Sequence, residues 1–252
     1  MIPLRALRMV TLAAAIATVI LGFGQPGFAD QFTPEQRAEI VRIVRDALKQ
    51  DPSILRDAVT ALQADQSRRQ AAAVAAHAKM LVDPADPVAG NPLGDVTIVE
   101  FFDTRCPYCR KLESTMTALL ASDRGVRLVY KDLPILGPAS IMGSRALLAA
   151  QRQNGYERLR TVIMQSPPDV TEPMIREMAQ KVGLDWPRLQ RDMNDPAITQ
   201  RLGSNVQLAR TLGIEGTPAL VVGRTLIPGA VEIADLRQVV AAARAAEKSQ
   251  GN

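Results

Sequence analysis

The sequence predicts an α/β protein: a β-α-β unit and a terminal β-hairpin separated by a block of helices, with a helical extension ahead of them. Three observations carry this prediction. The unbroken run Val96-Thr97-Ile98-Val99-Glu100-Phe101-Phe102 reads as a buried strand. It is followed by helical spacing from Cys106 to about Ala121 and by a second strand, Val126-Arg127-Leu128-Val129-Tyr130. Residues 140–212 read as successive helices, and the short apolar runs Ala219–Val222 and Thr225–Ile227 flank a turn at Gly223-Arg224.

Residues 1–29 read as a secretory signal. Arg5 and Arg8 form a basic start, Met9 to Phe23 an apolar run, and Gly27-Phe28-Ala29 the small residues before a cut. The apolar run is short for a membrane-spanning helix, which needs about 20 residues. Setting aside Arg5 and Arg8 reduces the net charge from +4 to +2, so charge is a poor argument for a nucleic-acid partner, and none is expected.

Residues 30–82 form the helical extension. Thr33-Pro34-Glu35-Gln36 is a capping box with proline at the first helical position, and Ile40, Ile43, Val44, Ala47 and Leu48 line one face of the helix it opens. Asp51-Pro52 repeats the signal, with Leu55, Ala58, Val59 and Leu62 at helical spacing. Beyond Leu62 the stripe fades into a polar run, Gln63 to Gln70, and an alanine-rich one. No breaker precedes Pro84, so propensity carries helix to about Leu81. So narrow a stripe needs a packing partner: either its own catalytic domain or a second copy of the chain, with Gln63–Ala76 as a spacer. His77, the only histidine, sits on a polar stretch and reads as a solvated residue.

Residues 83–94, rich in Pro, Gly and Asp, read as a linker. The β-α-β unit after it takes a right-handed crossover. In the helical block, Gly155, Thr171 with Pro173, Gly183, Asp185 with Pro187, Asp195-Pro196 and Gly213 mark stops and starts. Glu232 to Glu247 is a terminal helix. The main domain is therefore split, 95–139 and 213–252, around the insert at 140–212.

Cys106 and Cys109 are the only cysteines, which excludes a disulfide framework and a four-cysteine zinc site. The pair is a redox centre, half of a metal site, or chance. A free thiol near pKa ~8.5 is mostly protonated at neutral pH. Cys106 at a helix start meets unpaired N–H groups and the positive dipole end, which favour its thiolate. Dipole effects reach about 2 kcal/mol, so local hydrogen bonds must supply any larger shift. Cys109, one turn later and facing inward, can resolve a mixed disulfide. Pro107 removes an N–H that the first turn does not use, and Tyr108 offers a ring and hydroxyl beside the sulfurs. No metal or organic cofactor is required.

The run Thr97 to Asp103 followed by Cys106-Pro107-Tyr108-Cys109 resembles the active-site segment of DsbA-like thioredoxin-fold proteins. Gly213-Ile214-Glu215-Gly216-Thr217-Pro218-Ala219 resembles the loop in which that family places a cis-proline beside the sulfurs. The helical interval matches the family's insert. The extension and the loop Lys131 through Ser140 resemble the exported branch that includes ScsC, Com1 and BdbD-like proteins. The resemblance implies a thioredoxin fold and thiol–disulfide exchange on exported proteins in the periplasm. It also implies a membrane thiol-redox partner and, through residues 33–82, a homo-oligomer with isomerase or reductase duty. It casts Glu100 as a buried acid exchanging protons with Cys109; otherwise Glu100 is a strand glutamate paired with a lysine such as Lys131. Thr217 and Pro218 become the substrate-binding loop, unless Pro218 is an ordinary trans proline. The Pro107-Tyr108 pair differs from the Pro-His of strongly oxidising members, so oxidase strength does not carry over. A monomeric DsbA-like oxidase and a non-enzymatic copper or zinc chaperone are the alternatives.

Overall fold

The computed structural model describes residues 32–250, and the expected signal segment, residues 1–29, lies outside them. The chain divides into two compact units, the first ending at Leu62 and the second running from Gln63 to Asn252.

In the first unit, helix α1 (Pro34–Gln50) begins as its capping box dictates. The Thr33 hydroxyl accepts from Gln36 N–H while the Gln36 side chain accepts from Thr33 N–H at 2.9 Å. Every residue of α1 is exposed, including Ile40, Ile43, Val44 and Leu48. Helix α2 (Ser53–Ala76) opens where the Asp51 carboxylate accepts from Ser53 N–H at 3.0 Å, and carries the chain into the second unit.

The stretch expected to be a spacer is anchored there. Val74 is buried beside Val99, Phe101, Val129 and Val221. Helix reaches Leu81, as propensity implies, but in two pieces. It breaks at His77 (φ −110°, ψ 16°), whose half-buried ring lies 2.9 Å from the Ala73 carbonyl, and a short helix α3 (Ala78–Leu81) follows. Leu81, seven residues after Val74, packs in the same apolar cluster. The expected linker contains a three-residue strand, β1 (Val88–Gly90). Its pairing with the strand Val126–Asp132 is a main-chain interaction, and so short an edge strand carries no periodicity to read.

The sheet has the order β1-β3-β2-β4-β5. β2 (Val96–Phe102) and β3 (Val126–Asp132) run parallel, joined by α4 (Pro107–Ser122). β4 (Ala219–Val222) pairs antiparallel with β2, and β5 (Thr225–Pro228) antiparallel with β4. Between β3 and β4 come five helices: α5 (Pro138–Gln151), α6 (Tyr156–Gln165), α7 (Glu172–Lys181), α8 (Trp186–Met193) and α9 (Pro196–Thr211). Helix α10 (Ile233–Gln250) follows the hairpin. Asp185 and Asp195 cap α8 and α9, accepting from Arg188 N–H and Ala197 N–H.

Strand alternation divides the core. Val96, Ile98, Phe102, Leu128 and Tyr130 pack toward Leu112 and Met116 of α4, Leu159 and Ile163 of α6, and Leu236 of α10. Val99, Phe101 and Val129 pack toward Val74, Leu81 and Leu208 on the other face. No helix among the described residues is long and apolar enough to cross a membrane.

Candidate active site

The site forms where β2 ends. Beyond Phe102 the chain turns through Asp103, whose fully buried carboxylate accepts from Arg105 N–H at 2.8 Å on one oxygen. The other oxygen accepts from Ile135 and Leu136 N–H at 2.9 and 3.0 Å. One side chain thus shapes the turn and pins the loop after β3 to it. Cys106 then takes the N-cap position of α4 in extended conformation, with Pro107 in the first helical turn. Arg110 anchors this turn to the helical insert: its guanidinium donates to the carbonyls of Thr104, Met164 and Ser166.

Antiparallel pairing brings the second half of the site into place. Ala219 lies opposite Phe101, so the chain entering β4 passes the turn leaving β2. The Thr217–Pro218 peptide bond is cis, and the Cys106 thiol donates to the Thr217 carbonyl at 3.1 Å. The Pro218 carbonyl accepts from Gly229 N–H at 2.8 Å, tying this loop to the end of the hairpin.

The two thiols are held in opposite states. Cys106 is lowered to about 5, chiefly by a hydrogen bond from the Cys109 thiol, with further help from the Thr217 side chain and the N–H groups of Cys109 and Tyr108. Burial opposes the shift but does not cancel it. Cys109 is fully buried, and burial pushes its thiol far above the ordinary range, assisted by its hydrogen bond with Cys106. Tyr108 is 64% exposed, and its backbone N–H contributes to the lowering of Cys106.

Below the cysteines, Glu100 is fully buried and burial pushes it up to about 7, with the Arg160 guanidinium opposing. Arg160 approaches Glu100 at only 3.5 Å and favours Glu113, donating two hydrogen bonds of 2.5 and 2.8 Å. Its guanidinium also stacks over the rings of Phe102 and Tyr130, 4.6 and 4.1 Å from their centroids. Glu100 lies close enough to contribute to the upward push on Cys109.

Lys131 is not the partner of Glu100. In register it lies opposite Phe101, so its side chain leaves by the other face, where it meets Asp86 at 2.6 Å and donates to the Met80 carbonyl at 2.5 Å. Sequence reasoning missed Arg160. The signal was its phase: it lies four residues after Tyr156 and three before Ile163, on the apolar face of α6. Asp132 is a second missed acid, raised by burial to about 7 while accepting from the Tyr156 hydroxyl at 2.8 Å. Among the described residues, no group of three or more His, Cys, Asp or Glu is placed to hold a metal ion.

The profile of the DSBA-like thioredoxin domain matches residues 97–241, and that of the copper resistance protein ScsC N-terminal domain matches residues 36–73. The chain spans about a quarter of the length of the first curated relatives it matches, such as Na(+)/H(+) antiporter NhaA 3 of Salinispora tropica, 28% identical over 170 residues covering 66% of this chain and 26% of the relative. Probable disulfide bond formation protein D of Bacillus anthracis is 27% identical over 150 residues, 54% of this chain and 69% of the relative. A thioredoxin-like oxidoreductase of Silicibacter pomeroyi is 45% identical, with a TM-score of 0.62 over 64% of this chain and 94% of that one. A linker-deletion variant of Proteus mirabilis ScsC is 27% identical, with a TM-score of 0.66 over 86% and 98%. With more than half of its length under the first of these profiles, the protein belongs to the DSBA-like thioredoxin domain family and carries a ScsC-type N-terminal region ahead of that domain.

Proposed function

We propose that this protein is a periplasmic thiol–disulfide oxidoreductase acting on the disulfides of exported proteins, with isomerase or reductase duty as the preferred direction. The observation that carries the reading is the contrast between the two sulfurs: an attacking Cys106 lowered to about 5 beside Thr217-Pro218, and a buried, protonated Cys109 one turn behind it. The Cys106 thiolate attacks one sulfur of a substrate disulfide. That bond breaks, a Cys106–substrate disulfide forms, and one substrate thiolate leaves. Cys109 then gives up its proton, with Glu100 as the acceptor, and attacks Cys106. The Cys106–Cys109 disulfide forms, the second substrate thiolate leaves, and two electrons have passed to the substrate. The reverse sequence oxidises a substrate dithiol.

Glu100 suits the acceptor role because burial holds it near neutrality, where it can both take and return a proton. Pro107 and the Tyr108 N–H shape the helix start that receives the thiolate. Thr217 and Pro218 form the edge against which substrate main chain lies. Direction is set by a membrane thiol-redox partner. Isomerase duty is supported by the ScsC-type region and by the exposed stripe Ile40, Ile43, Val44 and Leu48, which suits self-association and several active sites around one substrate.

The test is Cys109→Ser in cells. Mixed disulfides between Cys106 and exported proteins should accumulate on non-reducing gels, and their absence defeats the reading. Thiol trapping of the native protein gives the direction, mostly dithiol for an isomerase or reductase and mostly disulfide for an oxidase. Solution mass separates an oligomer from a monomeric oxidase.

A further inference from the structure

Gln66 and Gln70 stand four residues apart on α2, within the second unit, so their side chains leave the helix from one face. That face closes a groove of about 390 Å³ whose other boundaries include Ile214, Thr217, Pro218 and Leu226. Gln70 is half-buried along it, and Gln66 is exposed at its rim. The groove adjoins the chemistry directly. Thr217 lines it, and the Thr217 carbonyl is 3.1 Å from the Cys106 sulfur. A polypeptide joined to Cys106 through its own cysteine therefore has to lay its neighbouring residues across Thr217-Pro218, at the mouth of this groove.

The lining matches such an occupant. Ile214, Pro218, Leu226 and Pro228 offer apolar surface, and Glu215 is the only charged residue among those that line it. The two primary amides each carry two donors and an acceptor, which complements both the N–H and the C=O of a peptide main chain without selecting a charge.

We propose that Gln66 and Gln70 are substrate-contacting residues, with α2 forming one wall of the cleft that holds the polypeptide segment flanking the substrate cysteine, and their amides hydrogen-bonding its main chain. The proposal rests on the reading of the protein as a thiol–disulfide oxidoreductase. The preferred segment is extended and neutral or basic, because Glu215 disfavours an acidic one.

The experiment uses the full chain carrying Cys109→Ser, converted at Cys106 to a mixed disulfide either with a six-residue neutral peptide containing one cysteine or with 2-mercaptoethanol. The side-chain amide resonances of Gln66 and Gln70, assigned by their loss in Gln66→Ala and Gln70→Ala, should shift in the peptide adduct and stay in place in the 2-mercaptoethanol adduct. In the protein with both cysteines, Gln66→Ala with Gln70→Ala should raise KM for the corresponding peptide disulfide about tenfold, the size expected for two ordinary hydrogen bonds, and hold kcat within about twofold. Alanine is the better helix former, so α2 persists in the variant. Gln63→Ala, which does not line the groove, should leave KM unchanged. Unmoved amide resonances in the peptide adduct, or an unchanged KM in the double variant, overturn the assignment of α2 as a substrate wall while leaving the exchange reaction intact. Failure of Cys106 to form either adduct overturns the oxidoreductase reading, and this proposal with it.

Discussion

On one face of the sheet, beneath the CxxC turn, Glu100 meets its cation at 3.5 Å; on the other, Asp86 is gripped at 2.6 Å by both Lys131 and Arg201. Both acids are buried, and their strands or neighbouring segments lie within one small sheet. The difference lies in how each charge is matched. Asp86 has two cations and Lys131 adds a bond to the Met80 carbonyl, so the group is a clasp. Glu100 must share one arginine with Glu113, which takes the shorter bonds. The under-matched acid is the one that can change its protonation. A buried ion pair that holds structure together and a buried acid proposed to move a proton therefore call for opposite degrees of satisfaction.

Asp86→Ala leaves the Lys131 ammonium buried without its carboxylate and should cost about 3–5 kcal/mol, read as a lower denaturant midpoint at unchanged slope. In the folded fraction, Cys106 alkylation should keep its midpoint near pH 5. A loss below about 1 kcal/mol would make the clasp ornamental.

The next effect is on stability against pH. Glu100 is raised from 4.5 to about 7, so the folded state holds a proton that the unfolded chain releases between those values. Its contribution is fully present below pH 4.5 and is lost as pH rises through 7, a swing of about 3 kcal/mol. Asp132, raised from 3.8 to about 7, adds to the same slope. Urea midpoints from pH 4 to 8 should fall with pH, and Glu100→Gln should flatten that fall. An unaltered slope in Glu100→Gln would show that Glu100 does not titrate there.

Glu100→Gln should slow the Cys109-dependent release of a mixed disulfide about a hundredfold at pH 7 while sparing the first attack by Cys106. Equal slowing of both steps would reduce Glu100 to a structural residue. Least affected should be Tyr108→Ala, which retains the backbone N–H that serves Cys106. Stability should stay within about 0.5 kcal/mol and the alkylation midpoint should not move.

Much of this site was legible in the sequence because it is carried by local signals. β2 spans Val96–Phe102 as its apolar run implies, and α4 begins directly after Cys106. Thr217-Pro218 was locatable because it precedes a readable hairpin. Partnerships across the chain were not legible. Nothing near Glu100 in sequence names Arg160, sixty positions on, and strand alternation had to be combined with register before Lys131 could be assigned to the opposite face. The polar run from Gln63 to Gln70 read as a spacer because polarity alone does not distinguish a solvated face from one that borders a groove.

Lys131 also defines where this domain can be cut. Through the Met80 carbonyl and Asp86 it fastens the segment between α2 and β1, and Val74 and Leu81 fill the apolar layer beside it. A boundary drawn at the proline-rich stretch after Val82 strips that layer from the sheet and deprives the ammonium of its carbonyl. A fragment that keeps this layer starts upstream of Val74, inside a helix rather than in a loop, and gene fusions or shortened versions of the protein that preserve it respect that limit.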